Sequence, residues 1–389
     1  MAVFDLTTPA FRAPADCVIR VEGEEITALY PFLRELSAET SRDEVSTATL
    51  VFETQRDEHG RWTVQDQAIV APWKRIVIEV AFGSYTEELF RGYIREVVAD
   101  YPAELGGSTV TVECQDDSLA LDRQQMRRSW GVDRSACDGP TEVPVSDGDI
   151  VQQITGEHGL SLAAGSGDGL GNLVLLQDST DIKFLQARAR ANGYELYFRR
   201  GEVYFGPMQL DAAPQDGTIL VYAGTDTNCL SLSVRSDGHR PNQVAVDLAP
   251  TEGTDIVRKE IASDLPLLGT ESADAAGDGL ADFTWLLSRE GSYDEDELTA
   301  RAQQKANDFA LRISAEGELD GTLFGHVLLP GLPVAVDGTG DWLGGVYYVD
   351  HVTHRFTTEG YRQQIRLLRN AYGDNLGAGL DAGRLAGIL

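Results

Sequence analysis

The sequence predicts an α+β, β-rich fold in which two similar small β-barrels flank a central helix-plus-hairpin domain. Three observations predict it. Six short alternating segments lie between residues 17 and 114 with no long helix among them. Residues 178–206 read as an amphipathic helix followed by an aromatic hairpin. The end of the first strand-rich region is also repeated in the end of the last one. The resulting division is an N-terminal arm at 1–16, a first barrel at 17–125 and a central α+β domain at 126–228. A second barrel follows at 229–373, with an insertion at 264–294 and a long helix at 295–314, and then a C-terminal tail at 374–389. At 389 residues the chain is long enough for several cores.

Residues 1–16 hold two prolines and little periodicity, so they form an arm that needs tying down. Alternation then marks strands at 17–21, 32–41, 47–53, 75–82, 89–98 and 108–114, bounded by Gly, Pro or acid clusters, which is the pattern of a small barrel or sandwich. Leu119-Ala120-Leu121-Asp122-Arg123 and Met126-Arg127-Arg128-Ser129-Trp130 break that pattern, and a short helix starts at Asp149 and ends near Gly156 or Gly159. After the Gly-rich stretch 163–172, the side chains from Asp178 onward read as a helix N-cap. Ile182, Leu185 and Ala189 recur at helical spacing, and Asn192-Gly193 closes the helix. Tyr194, Leu196 and Phe198 alternate into a turn at Arg199-Arg200-Gly201-Glu202 and a second strand, Val203-Tyr204-Phe205. Strands resume at Cys229, and the Gly/Ala/Asp/Ser-rich insertion holds one short element around Phe283 to Leu287. Ser292 and Asp294 are placed to cap the long helix, whose face is Leu298, Ala302, Ala306, Phe309 and Ile313.

The repeat aligns Tyr93-Ile94-Arg95-Glu96-Val97 with Tyr348-Val349-Asp350-His351-Val352, and Thr109 to Val112 with Gln363 to Leu367. Each copy has glycine just ahead, at Gly92 and at Gly344-Gly345, and an alternating Val-rich strand further upstream.

The order of acid-rich cap, Phe184-Leu185, Ala/Arg middle, Gly193-Tyr194 exit and aromatic hairpin resembles the phage late control D family, the baseplate hub proteins of contractile tails. The hub part of the VgrG spikes of type VI secretion carries the same segment, and the Leu-Asp-Arg and Ser-Trp runs at 119–130 also look like this family. The pattern spans roughly residues 17–370. The resemblance implies tube-type barrels and a homotrimer whose three copies present six similar modules, a pseudo-sixfold ring on which a sixfold tail tube can stack while a threefold spike seats below. It further implies a structural, non-enzymatic virion or particle protein assembled in the host cytoplasm, with no cofactor. Its expected partners are the tail tube protein, a separate spike or tip protein, baseplate wedge or distal tail proteins and a tape measure protein. DNA would pass through the lumen without sequence-specific binding. The alternatives kept open are the tip hub of a non-contractile tail and a tail-associated enzyme that degrades cell wall or polysaccharide.

The charge balance is 62 acidic against 32 basic residues, a net charge of −30, with four lysines beside 28 arginines. Such self-repulsion is relieved where the Debye length falls to ~3 Å, in about 1 M salt, and points to a halophilic host and an archaeal virus. An acidic wall binds phosphate poorly and lets DNA slide past. No apolar run reaches membrane-spanning length, and no basic-then-apolar leader opens the chain. The four cysteines, Cys17, Cys114, Cys137 and Cys229, are dispersed and read as buried free thiols.

No phosphate loop and no nucleophile elbow occurs. His351 and His354 are three residues apart on a strand and face opposite ways, which argues against shared metal ligation. Asp274, Asp278 and Asp282 form an acid cluster that lacks the calcium-loop spacing. Asp116-Asp117 invites a glycosidase reading, as does any acid pair in so acidic a chain. For partner binding, the candidates are the apolar residues of the tail, Leu376, Leu380, Leu385, Ile388 and Leu389.

Overall fold

The computed structural model describes residues 14–103, 107–133, 140–248, 257–274, 280–287 and 295–376. The fold is mostly β. Six strands build the first half, β1 (Ala15–Val21), β2 (Leu33–Ser41), β3 (Thr47–Glu53), β4 (Arg75–Phe82), β5 (Tyr85–Asp100) and β6 (Thr109–Asp116), with a two-residue strand at Glu24–Glu25 added to the edge of β1. Their alternation is strict where it matters. In β3, Ala48, Leu50 and Phe52 are buried while Thr47, Thr49 and Val51 stay half-exposed, so the period-2 pattern alone chooses which face meets the core.

The central part begins with β7 (Gln125–Trp130) and α1 (Asp147–Glu157), which opens on a reciprocal cap between Ser146 and Asp149. It continues with β8 (Leu175–Thr180), α2 (Asp181–Asn192) and the hairpin β9 (Glu195–Arg199) and β10 (Glu202–Gly206). Ile182, Leu185 and Ala189 of α2 are buried as their spacing predicts, and Gly193 ends the helix in the left-handed conformation at φ 67°. Arg200 and Gly201 both take positive φ, at 53° and 78°, the two-residue turn that matches strand twist. Thr180 stands at the N-cap as read, but the expected side-chain cap is not made. Asp178 to Thr180 extend β8 against β7, and the Thr180 hydroxyl donates to Asp122 at 2.6 Å instead of accepting from the helix.

The last part holds β11 (Thr218–Leu220), β12 (Cys229–Ser236), β13 (Gln243–Leu248), β14 (Val257–Ala262), β15 (Thr284–Leu286), α3 (Glu295–Ala310), β16 (Ile313–Asp320), β17 (Pro333–Asp337), β18 (Gly345–Thr357) and β19 (Gly360–Arg369). Leu298, Ala302 and Ala306 of α3 are buried, and Phe309 is partly buried, against Val244, Val246 and Ile261. The helix is shorter than its pattern predicts. Ile313 is β-branched and fully buried with Ala315 and Leu319 on one face of β16, so it starts a strand instead of closing a helix stripe. Ser292 and Asp294 lie outside the described residues.

One 13-stranded sheet carries the architecture, and its order is a repetition. The first half runs β2-β3-β6-β5-β4-β1, and the second runs β12-β16-β19-β18-β17-β11. Both hairpins carry a bulge at the same place: Arg95 is the extra residue between Ile94 and Glu96, and Asp350 between Val349 and His351. The halves differ at the end, where β1 pairs antiparallel with β4 but β11 pairs parallel with β17. Gly92 shows why one glycine precedes the repeat: a Cβ there would lie 2.1 Å from the Gln115 carbonyl oxygen. The expected barrels are not seen as closed rings of strands. The edge of β2 that would close the first half pairs instead with β18, residues 36–41 against 351–356, and so joins the two halves.

Separate apolar clusters fill the first half, the second half and the central part, centred on residues such as Leu50, Val349 and Leu185. Cys17, Cys114 and Cys229 are free thiols, the last two buried, and Cys137 lies outside the described residues. No described helix is long and apolar enough to cross a membrane.

Candidate assembly surface

The face of the sheet turned away from these clusters is polar over most of both halves, but at Tyr348 and Leu368 it packs a further apolar cluster with Leu210, Leu268 and Leu311. Register rows show it: Ser37, Thr49, Glu113 and Glu96 lie side by side in the first half, and Ser233, Glu316, Arg366 and His351 in the second. Small hydroxyl residues and carboxylates dominate the first half, while Arg355, Arg362 and Arg366 interrupt the acids in the second. Arg355 pairs with Glu35 at 2.6 Å across the seam where β18 meets β2, and Arg362 pairs with Asp320.

Behind the seam lies a buried charge junction. Arg42, just past β2, donates from Nε to Asp350 Oδ1 at 2.6 Å and from Nη1 to Glu195 Oε1 at 3.0 Å. Tyr348 donates its hydroxyl to Glu195 Oε2 at 2.7 Å, and Arg366 closes on Asp350 Oδ2 at 3.2 Å. The bulge places Asp350 there, because the extra residue turns its side chain toward the seam. Burial pushes the Glu195 carboxyl up to about 7, against the pull of Arg42 and Tyr348. One arginine thus ties the first half, the second half and the hairpin together. Sequence reading missed Arg42 and Glu195, since no local pattern marks either.

A second junction holds the helices. Arg188 of α2 forks onto Asp147 at 2.6 and 3.1 Å and reaches Glu297 of α3 at 3.1 Å, while Asn192 donates to Asp147 at 2.7 Å. Asp147 is fully buried.

Among the described residues no group of three His, Cys, Asp or Glu is placed to hold a metal. His351 is half-buried on the polar face, whereas His354 is fully buried on the other, 2.8 Å from the Tyr361 hydroxyl, and burial keeps it neutral by lowering it to about 3. Asp278 lies outside the described residues, which leaves Asp274 and Asp282 of that cluster. Asp116 is enclosed and accepts from the backbone N–H groups of Ser46 and Ser118 at 2.8 and 3.0 Å, and Asp117 pairs with Arg75 at 3.3 Å. The space beside Asp116 is about 30 Å³, room for one water and too small for a sugar. Burial pushes Asp116 up to about 6, above the ordinary carboxylate value, so its contribution to stability falls as pH rises from about 4 to about 6. Asp116→Asn is expected to remove that slope, up to about 3 kcal/mol across the window, as read from urea midpoints at successive pH values.

Of the tail residues expected to bind a partner, Leu376 is half-buried and its N–H donates to Asp374 at 2.8 Å. Leu380, Leu385, Ile388 and Leu389 lie outside the described residues. Just before them, Arg369 is fully buried and donates to the carbonyls of Leu268, Gly344 and Gly373 at 3.0, 2.8 and 2.6 Å, which fixes the chain up to the tail.

This architecture is similar to that of solved tail proteins. A 43 kDa tail protein of a Shewanella oneidensis prophage superposes with a TM-score of 0.64 at 12% identity, over 91% of this chain and 98% of that one. A tail protein of Neisseria meningitidis gives 0.61 at 12% identity, over 92% and 97%. An Escherichia coli component of the type VI secretion system, described as structurally similar to T4 bacteriophage tail proteins, gives 0.55 at 11% identity, over 91% and 78%. These likenesses define the class as a tail-protein fold. Residues 13–358 match the family model described as the Alg8 N-terminal domain, and the chain belongs to that family. No curated protein matches the sequence.

Proposed function

We propose that this chain is a structural, non-enzymatic hub of a viral tail or tail-like injection particle. In this reading three copies surround a central passage, their six similar modules meet the tail tube, and a spike or tip protein seats on the threefold side. The observation that carries it is the strand order repeated within one chain, with the bulge at Arg95 recurring at Asp350. A duplicated module lets a threefold assembly present sixfold contacts. The polar sheet face then lines the passage, where acids and hydroxyls, with Arg355, Arg362 and Arg366 each paired to a carboxylate, let DNA or cargo move past. The acid surplus adapts this surface to concentrated salt. The segment from Leu376 to Leu389 docks on the spike or a neighbouring copy. Light scattering on the purified chain should give three chain masses. A monomer that hydrolyses cell-envelope polymer would refute the proposal and support the enzymatic alternative.

A further inference from the structure

The repeat also locates the contact between copies. Within the chain, the C-terminal half of β18 pairs on one side with β19 and on the other with β2, His351 against Ser41 through Phe356 against Leu36. Its counterpart in the first half is β5 from Glu96 onward. That half of β5 pairs with β6 only, since β4 reaches no further than Tyr93. The counterpart of β2 is β12, which pairs with β16 only and forms one end of the sheet path. Among the described residues, each of these edges is therefore open where its twin is paired.

The register follows by transfer. Glu96, Glu113, Thr49 and Ser37 form one row, and His351, Arg366, Glu316 and Ser233 form the matching row, so Ser37 corresponds to Ser233. We propose that β12 of one copy adds to the free half of β5 in the next copy, antiparallel, with Val98 opposite Arg235 and Tyr101 opposite Leu232. This rests on the ring reading above and assigns its interface. The side chains agree with that register. Ala99 meets Val234 on the apolar face, and Tyr101, just past the end of β5, packed on Trp62 and still 55% exposed in the single chain, meets Leu232. On the polar face Arg235 falls diagonally between Glu96 and Asp100, within reach of both carboxylates. Pairing also covers two edges that would otherwise template indiscriminate strand addition.

Oxidation of the doubly substituted chain Val98→Cys/Arg235→Cys tests this, with Val98→Cys/Ser231→Cys, displaced by four residues or about 13 Å along the strand, as the control. The unsubstituted chain, with its native thiols, is oxidised in parallel. The expected result is a reducible ladder ending at three chains for the first variant, and no ladder beyond that of the unsubstituted chain for the control. Multimers that persist by light scattering without forming this ladder would overturn the interface and leave the ring standing. A chain that stays monomeric and uncrosslinked would overturn both.

Discussion

Replacing Arg42 with alanine is expected to cost about 3–5 kcal/mol, because it strands two carboxylates that the fold has already taken out of water. The Glu195 and Asp350 side chains are only 3% and 11% exposed, so water cannot easily take over from the guanidinium. The Tyr348 hydroxyl would remain on Glu195 and Arg366 on Asp350, yet neither supplies the shared charge at the centre. Desolvation and lost attraction act in the same direction here, which is why this effect exceeds that of the surface pairs, each worth about 0–1 kcal/mol. Arg42→Lys should recover part of the loss, since an ammonium keeps the charge but cannot fork to both acids. Glu195→Gln in the Arg42→Ala background should cost less than in the native chain, the signature of a coupled pair in denaturant titrations. The pH dependence has a definite sign. The folded-state value of Glu195 lies above its unfolded one, so its contribution falls as pH rises from about 4.5 to about 7. Without Arg42 that decline extends above pH 7. A change below about 1 kcal/mol for Arg42→Ala would show that the junction does not hold the halves together.

Arg188→Ala is expected to cost a similar amount, about 3–5 kcal/mol, for the same physical reason at a different place. Asp147 has no exposed side-chain surface and receives both prongs of the Arg188 fork. With the arginine gone, Asn192 and the Leu170 N–H remain as donors, neither of them charged. The loss should be local at first. Arg188 is also the link to Glu297 of α3, so amide exchange in α2 and α3 is expected to accelerate before that of β3 or β6. Uniform acceleration over the whole sheet would contradict that account. Asp147→Asn alongside Arg188→Ala should restore much of the stability, since it removes the orphaned charge.

What was legible in the sequence was whatever local periodicity writes. The helix with Ile182, Leu185 and Ala189, its Gly193 stop and the Arg200-Gly201 turn depend on residues close together in the chain, and each is found as read. The repeat was also legible, because Tyr93-Ile94 and Tyr348-Val349 occupy the same place before the same bulge. The cap residues held only in part: Thr180 stands at the N-cap of α2 but its side chain makes no capping bond, and Asp178 and Ser179 complete a strand against β7. The end of α3 was overrun because Ile313 fits the helical stripe as well as the strand it begins. The Arg42 junction left no trace, since its partners lie 153 and 308 residues away and only the fold brings them together. Closure of each half also escaped prediction, as β-alternation says which face is buried and nothing about which edge takes which partner.

Copies of this chain are proposed to encircle a passage. Electron microscopy of the assembled chain, viewed end-on, tests it most directly. Three chains should appear as six similar lobes around an axial opening, with the polar sheet face inward. A different number of chains, or a threefold particle whose centre is filled by packed protein, would contradict it.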